Sequence, residues 1–196
     1  MGVKIGNITH RTAREILKPG GFVLKIDIDD PQPIIDTLNL GEDFRVELEK
    51  IFQRLVFEVH KYLIRVTPID TGQLRGGWTG YLDTFQQDYS RQIFDTSLAI
   101  KARGRDYHID PAEIQKGKAQ SKWNQPDPLT VTLMNEVPYG FYLEFGTSKL
   151  EARNFTSLAW YKGELLFTNI LTKWFEDIAK EGKIVSLRGI NLELAA

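Results

Sequence analysis

Cysteine is absent from the 196-residue chain. That excludes disulfides, thiolate zinc sites, iron–sulfur clusters and a cysteine nucleophile, and it fits reducing and oxidising compartments alike. A strong charge of either sign is also missing, since 25 Lys and Arg face 26 Asp and Glu for a net charge of −1. A protein that wraps nucleic acid by bulk charge is basic, so that mode is excluded. No apolar run approaches the ~20 residues of a membrane-spanning helix, and no membrane partner is expected. The opening Met1-Gly2-Val3-Lys4-Ile5-Gly6 has no apolar core of an export signal, and Gly6 stands where a myristoylation motif carries Ser or Thr. There is no internal repeat and no low-complexity tract. Gly-x-Ser-x-Gly, a Walker loop and Gly-x-Gly-x-x-Gly are all missing, so no cofactor is expected.

What remains is ordinary globular material, 42% hydrophobic and 26% charged. Its length suits one domain carrying an insertion or arms. Residues 1–40 read as an arm or opening sheet element, with a strand over 22–29 that ends at Asp30-Pro31. Phe44, Leu48, Ile51, Leu55, Val59, Tyr62 and Val66 recur every three or four positions. That spacing predicts a helix from about Glu42 to Val66, stopped by Thr67-Pro68. A second stripe of Val46, Phe57 and Ile64 lies nearly opposite, so the helix needs cover on two sides, from its own chain or from a neighbouring subunit. Asp70-Thr71-Gly72-Gln73-Leu74-Arg75 reads as a turn opening a short helix capped by Asp70 or Thr71. Trp78–Leu82 and Arg91–Phe94 are candidate strands. Residues 95–128 show no periodicity and read as a long loop or insertion. Leu129–Asn135 alternates as a half-buried strand with Leu129, Val131 and Leu133 inward. Pro138 to Gly146 reads as a short helix. A last helix runs from about Phe155 to Lys180, with Phe167, Ile170, Leu171, Trp174 and Ile178 as its stripe and Gly163 as a point of bending. Residues 183–196 form a terminal arm, leaving 41–182 as the domain.

Chemistry is sparse. Asp70-Thr71-Gly72 is the tripeptide of aspartic proteases, in which two such aspartates share a proton. Here it follows a long helix rather than an apolar strand, which favours a turn-and-cap role. Asp106, His108 and Asp110 share a face of an extended segment and would suit a divalent cation. Neither His10 nor His60 supplies an obvious fourth ligand, so no metal is expected. Lys101, Arg103, Arg105, Lys116, Lys118 and Lys122 make one stretch locally positive. Its plain reading is a solvated loop, and its functional reading is contact with a phosphate backbone or an acidic partner.

Three segments in order are more specific than any one of them. Pro68-Ile69-Asp70-Thr71-Gly72-Gln73-Leu74-Arg75 closes the long helix. Asn135-Glu136-Val137-Pro138-Tyr139-Gly140 leads to Glu144-Phe145-Gly146-Thr147. Ala152-Arg153-Asn154-Phe155 then opens the last helix. This order resembles the neck or tail-completion family of long-tailed bacteriophages, over roughly residues 42–180. That family typically carries Pro-x-Asp-Thr-Gly-x-Leu-Arg, Pro-Tyr-Ala…Glu-x-Gly-Thr and Ala-Arg-Pro-Phe. The chain departs at Gly140, where Ala is usual, and at Asn154, where Pro is usual. The resemblance implies an α+β domain with long helices on a small antiparallel sheet. It implies a virion structural role at the head–tail joint, not an enzymatic one, after assembly in the host cytoplasm. It also implies a ring, commonly a hexamer, that touches neighbouring neck, tail-terminator or tail-tube proteins and the DNA in the lumen. Tail terminator and head-closure roles stay open, as does, from another class, a protease using Asp70. Pro68, Asp70, Thr71, Gly72, Leu74, Arg75, Pro138, Tyr139, Glu144, Gly146, Ala152, Arg153 and Phe155 are then scaffold residues.

Overall fold

The computed structural model describes residues 22–27, 41–85, 90–95, 97 and 108–181. The expected terminal arm at 183–196 and most of that at 1–40 lie outside the described residues. So do Lys101, Arg103, Arg105 and Asp106. Within them the chain is α+β. The order is β1 (Phe22–Asp27), α1 (Gly41–Val66), α2 (Gln73–Gly76), a 3-10 turn (Leu82–Phe85), α3 (Ser90–Phe94), α4 (Pro111–Lys118), β2 (Ser121–Asp127), β3 (Thr130–Asn135), α5 (Gly140–Phe145) and α6 (Phe155–Glu181).

α1 forms where its periodicity requires. Phe44, Leu48, Ile51, Leu55, Val59, Tyr62 and Val66 are all buried. α6 packs antiparallel on it: Phe44 stacks on Trp174 at 4.7 Å between ring centroids, and Gly163 lies against Val59 near the other end. Gly163 therefore allows close packing of two helices rather than a bend. The second stripe divides. Phe57 and Ile64 are buried, Phe57 against Phe85 at 5.0 Å, so the same chain covers them. Val46 remains 41% exposed. The polar sector is solvated and paired along the helix, as in Lys50–Glu47 at 2.6 Å.

The sheet has the order β1-β3-β2, with β3 antiparallel to both neighbours. Leu24 sits opposite Leu133, and both are buried with Val131 in the core shared by α1 and α6. β3 alternates as its sequence predicts, with Val131, Leu133 and Asn135 inward.

Three expectations are corrected. Trp78–Leu82 is not a strand, because Trp78, Thr79 and Leu82 amides bond carbonyls three residues back. Arg91–Phe94 is helical within α3; a run that short carries no decisive period. The second half of the 95–128 loop holds α4 and the edge strand β2. α4 buries only Ile114 and Gly117, and β2 is mostly exposed with a bulge between Asn124 and Asp127. Neither therefore writes a hydrophobic period into the sequence.

Candidate assembly surface and the scaffold behind it

The first motif segment folds around a buried cation. Arg75 is fully buried. Its guanidinium donates to the carbonyls of Arg65 (2.6 Å), Thr67 (3.3 Å), Gln92 (3.1 Å), Ile93 (2.8 Å) and Asp95 (2.6 Å). Those carbonyls lie at the C-terminal ends of α1 and α3, where orphan acceptors and the negative dipole end favour a cation. The cap of α2 is Gly72, at φ 95°, with no side-chain bond. The expected cap at Asp70 or Thr71 is thus replaced by a left-handed turn that glycine adopts without strain. Leu74 is buried, Pro68 is buried, Thr71 is half-buried, and Asp70 is exposed. The Thr71 carbonyl accepts from the Asp110 amide at 2.9 Å, tying α4 to this turn. Gly76 and Gly117 let α2 and α4 touch backbone to backbone.

The second and third segments lock onto the first. The Asn135 amide donates to the Leu74 carbonyl at 3.0 Å, and its carbonyl accepts from Val137 at 3.1 Å. Tyr139 reaches the same turn. Burial pushes its hydroxyl up to about 12, the Leu74 backbone opposes the shift, and Asp70 and Glu113 reinforce it. Pro138 beside it is exposed. Glu144 is fully buried. Its carboxylate accepts from the Thr156 amide at 3.1 Å and from the Thr156 hydroxyl. It therefore caps α6, whose first turn has unpaired donors and a positive dipole end. Burial raises its pKa, opposed by bonds from Thr156, Ser157 and Phe155. Gly146 ends α5 at φ 75°, and the Leu150 carbonyl and Ala152 amide fill the space a side chain would take. Ala152 and Arg153 are half-buried. The Arg153 amide donates to the Leu143 carbonyl at 2.8 Å, and the Asn154 amide to the Glu144 carbonyl at 3.1 Å. Phe155 is fully buried. Asn154 sits at φ 49°, a conformation closed to proline, and its amide is used. Asn154, at the position where the resembled motif carries Pro, thus fits its local backbone.

Of the other residues singled out in the sequence, Lys101, Arg103, Arg105 and Asp106 lie outside the described residues. Asp110 caps α4 by accepting from the Ala112 amide at 2.8 Å. Among the described residues no group of three His, Asp or Glu is placed to hold a metal. Lys116 pairs with Glu113, Lys118 with Asp83 at 2.8 Å and Lys122 with Glu136 at 2.7 Å. A cleft of about 230 Å³ opens between α1 and α3, lined by Glu58, Lys61, Tyr62, Arg65, Arg91 and Asp95 among others. Its charges are largely matched: Lys61 pairs with Glu58 at 2.8 Å and Arg65 with Asp95 at 2.8 Å.

The surface that stands out is apolar. Tyr139, Phe141, Tyr142 and Phe145 are between 36% and 52% exposed around α5. Leu158, Tyr161 and Leu165 are 38%, 63% and 49% exposed on the first turns of α6. The end of α5 is bonded to the start of α6 through Glu144 and Thr156. At 100° per residue the Leu158–Tyr161–Leu165 stripe lies roughly 190° from the buried Phe167–Ile170–Trp174 face. Beyond Leu165 it continues as Thr168 and Thr172 and ceases to be apolar. Reading the sequence for one stripe on α6 misses this second one; the signal was a helix apolar on both sides over only half its length. Among the described residues no helix is long and apolar enough to cross a membrane. In comparison with known proteins, the chain matches no family model, no curated protein and no solved structure.

Proposed function

We propose that the chain is a structural protein of a tailed-phage virion, placed at the head–tail joint, where it completes the tail and helps it join the DNA-filled head. The motif order supplies the family reading. One observation supports it best: the three motif segments converge on one scaffold, and every buried polar group they contribute is used to hold helix ends. Arg75 closes α1 and α3, Glu144 opens α6, and Asn135 joins β3 to α2. Residues used this way hold a shape, and a joint needs shaped surfaces rather than a reaction. Exposed apolar material gathered on α5 and α6 suits packing against other virion components.

The experiment is deletion of the gene from the phage that encodes it, followed by electron microscopy of the lysate. DNA-filled heads and separate tails are expected, with few infectious particles. Normal infectious particles would overturn the proposal, and empty heads would move the role to capsid assembly or packaging.

A further inference from the structure

We propose that the cleft between α1 and α3 binds a singly charged carboxylate with a hydrogen-bond donor beside it, the chemistry shared by a peptide's C-terminal residue and a free acylamino acid. The proposal does not rest on the head–tail reading. Charge is the first argument. Lys61, Arg65 and Arg91 line the cleft together with Glu58 and Asp95. Lys61 is taken by Glu58 and Arg65 by Asp95, each at 2.8 Å. Arg91 is exposed and, among the described residues, has no acidic partner. One positive charge is therefore left over, and its planar fork suits a bidentate oxyanion. The two carboxylates on the same walls disfavour a doubly charged anion such as phosphate.

Unmet hydrogen bonds are the second argument. Tyr62 is 6% exposed and lines the cleft, yet its hydroxyl makes no hydrogen bond among the described residues. Burial raises its pKa, opposed by Arg65, so the phenol keeps its proton and can donate to an anion. Gln92 lines the same cleft, and its Oε1 is buried without a donor. A buried acceptor left unpaired is costly, and a bare carboxylate has no proton to give it. An amide N–H or hydroxyl next to the carboxylate does. Size and rigidity are the third argument. The cleft holds about 230 Å³, below the roughly 300–1,000 Å³ of a site for a drug-sized ligand, which suits a group of about one residue. Its walls are fixed to each other, because Arg75 bonds the carbonyls of Arg65 on α1 and of Gln92 and Asp95 at α3. A site held in this way loses little affinity to ordering.

The test is a ligand-observed NMR titration of the purified full chain with N-acetylglycine, propionate, N-acetylglycinamide and inorganic phosphate. N-acetylglycine is expected to saturate with a Kd of about 1 mM, the scale of a ligand of few atoms. Propionate, which lacks the donor, and phosphate are expected to bind at least about threefold more weakly, and N-acetylglycinamide, which lacks the charge, about tenfold. Arg91→Gln is expected to weaken N-acetylglycine by about tenfold, and Gln92→Leu to bring it to the level of propionate. Lys149→Gln, at an exposed cation outside the cleft, should change nothing. Circular dichroism establishes that each variant folds; Tyr62→Phe, expected to weaken binding about threefold, replaces any that does not. The tripeptide acetyl-Ala-Ala-Gly separates the two sources, since binding at least as tight as N-acetylglycine marks a chain terminus and weaker binding marks a free acid; both support the site. Absence of saturable N-acetylglycine binding at about 10 mM, tighter binding of phosphate, or affinity untouched by Arg91→Gln would overturn the proposal. None of these results bears on the deletion phenotype, so the two claims fail separately.

Discussion

The guanidinium of Arg75 spends its hydrogen bonds on main-chain carbonyls at two helix ends, so its planar fork matters as much as its charge. A lysine, as a compact point charge, does not reach acceptors spread around a fork. Arg75→Ala is expected to cost about 3–5 kcal/mol, because the carbonyls are left buried without donors, and Arg75→Lys to recover little of it; denaturant unfolding measures both. Leu55, 2% exposed, is expected to cost about 2–5 kcal/mol on truncation to Ala. His60 makes a different kind of prediction. It is fully buried beside Tyr81, with ring centroids 6.1 Å apart, and among the described residues neither ring nitrogen completes a well-formed hydrogen bond. Burial lowers its pKa from 6.5 to about 3, only partly offset by the Trp78 backbone. The unfolded chain binds that proton at a higher pH than the folded one. Stability is therefore full above about pH 6.5 and falls as the pH drops toward 3, by about 1.4 kcal/mol per unit. Unfolding free energies of the wild type and His60→Gln between about pH 6 and 5 should differ in slope; equal slopes would contradict the assignment.

At the scale of elements, α2 and α4 cross at glycines that leave no room for a side chain. A Cβ on Gly117 would stand 1.9 Å from the Gln73 carbonyl oxygen, whereas one on Gly163 would stand 2.6 Å from a Val59 methyl. A backbone carbonyl held in a helix yields less than a side-chain methyl. Gly117→Ala is thus expected to lose at least the ~1–3 kcal/mol of ordinary overpacking, and Gly163→Ala less, as read by the two melting temperatures. The same elements show how far sequence reading reaches. α1, β3 and α6 were legible because long buried faces force a period of 3.6 or 2 onto the residues. α4 was not, since one docked isoleucine and one glycine leave no period and its lysines resemble a solvated loop. β2 was hidden by its place at the sheet edge, where Pro126 and a bulge are tolerated. The scaffold residues were legible as a motif, but their roles were not: that Arg75 closes two helices depends on α3, of which Arg91–Phe94 read as a strand. The exposed aromatics went unseen because exposure is a property of what fails to pack on them.

For the whole molecule, the distribution of material is the informative feature. Among the described residues the core is closed by α1, α6 and the sheet, and seven of the ten large apolar side chains that stay exposed lie around α5 and on the first turns of α6. The most direct measurement of the proposed head–tail role is reconstitution. Purified protein is added to a lysate of the deletion phage, in which separate heads and tails are expected, and infectious particles are counted. The account predicts that the titre rises with added protein and saturates once joints are filled, that Asp70→Asn restores it nearly as well as the wild type, and that Tyr161→Glu restores it poorly. A titre that does not rise with folded wild-type protein would contradict the account.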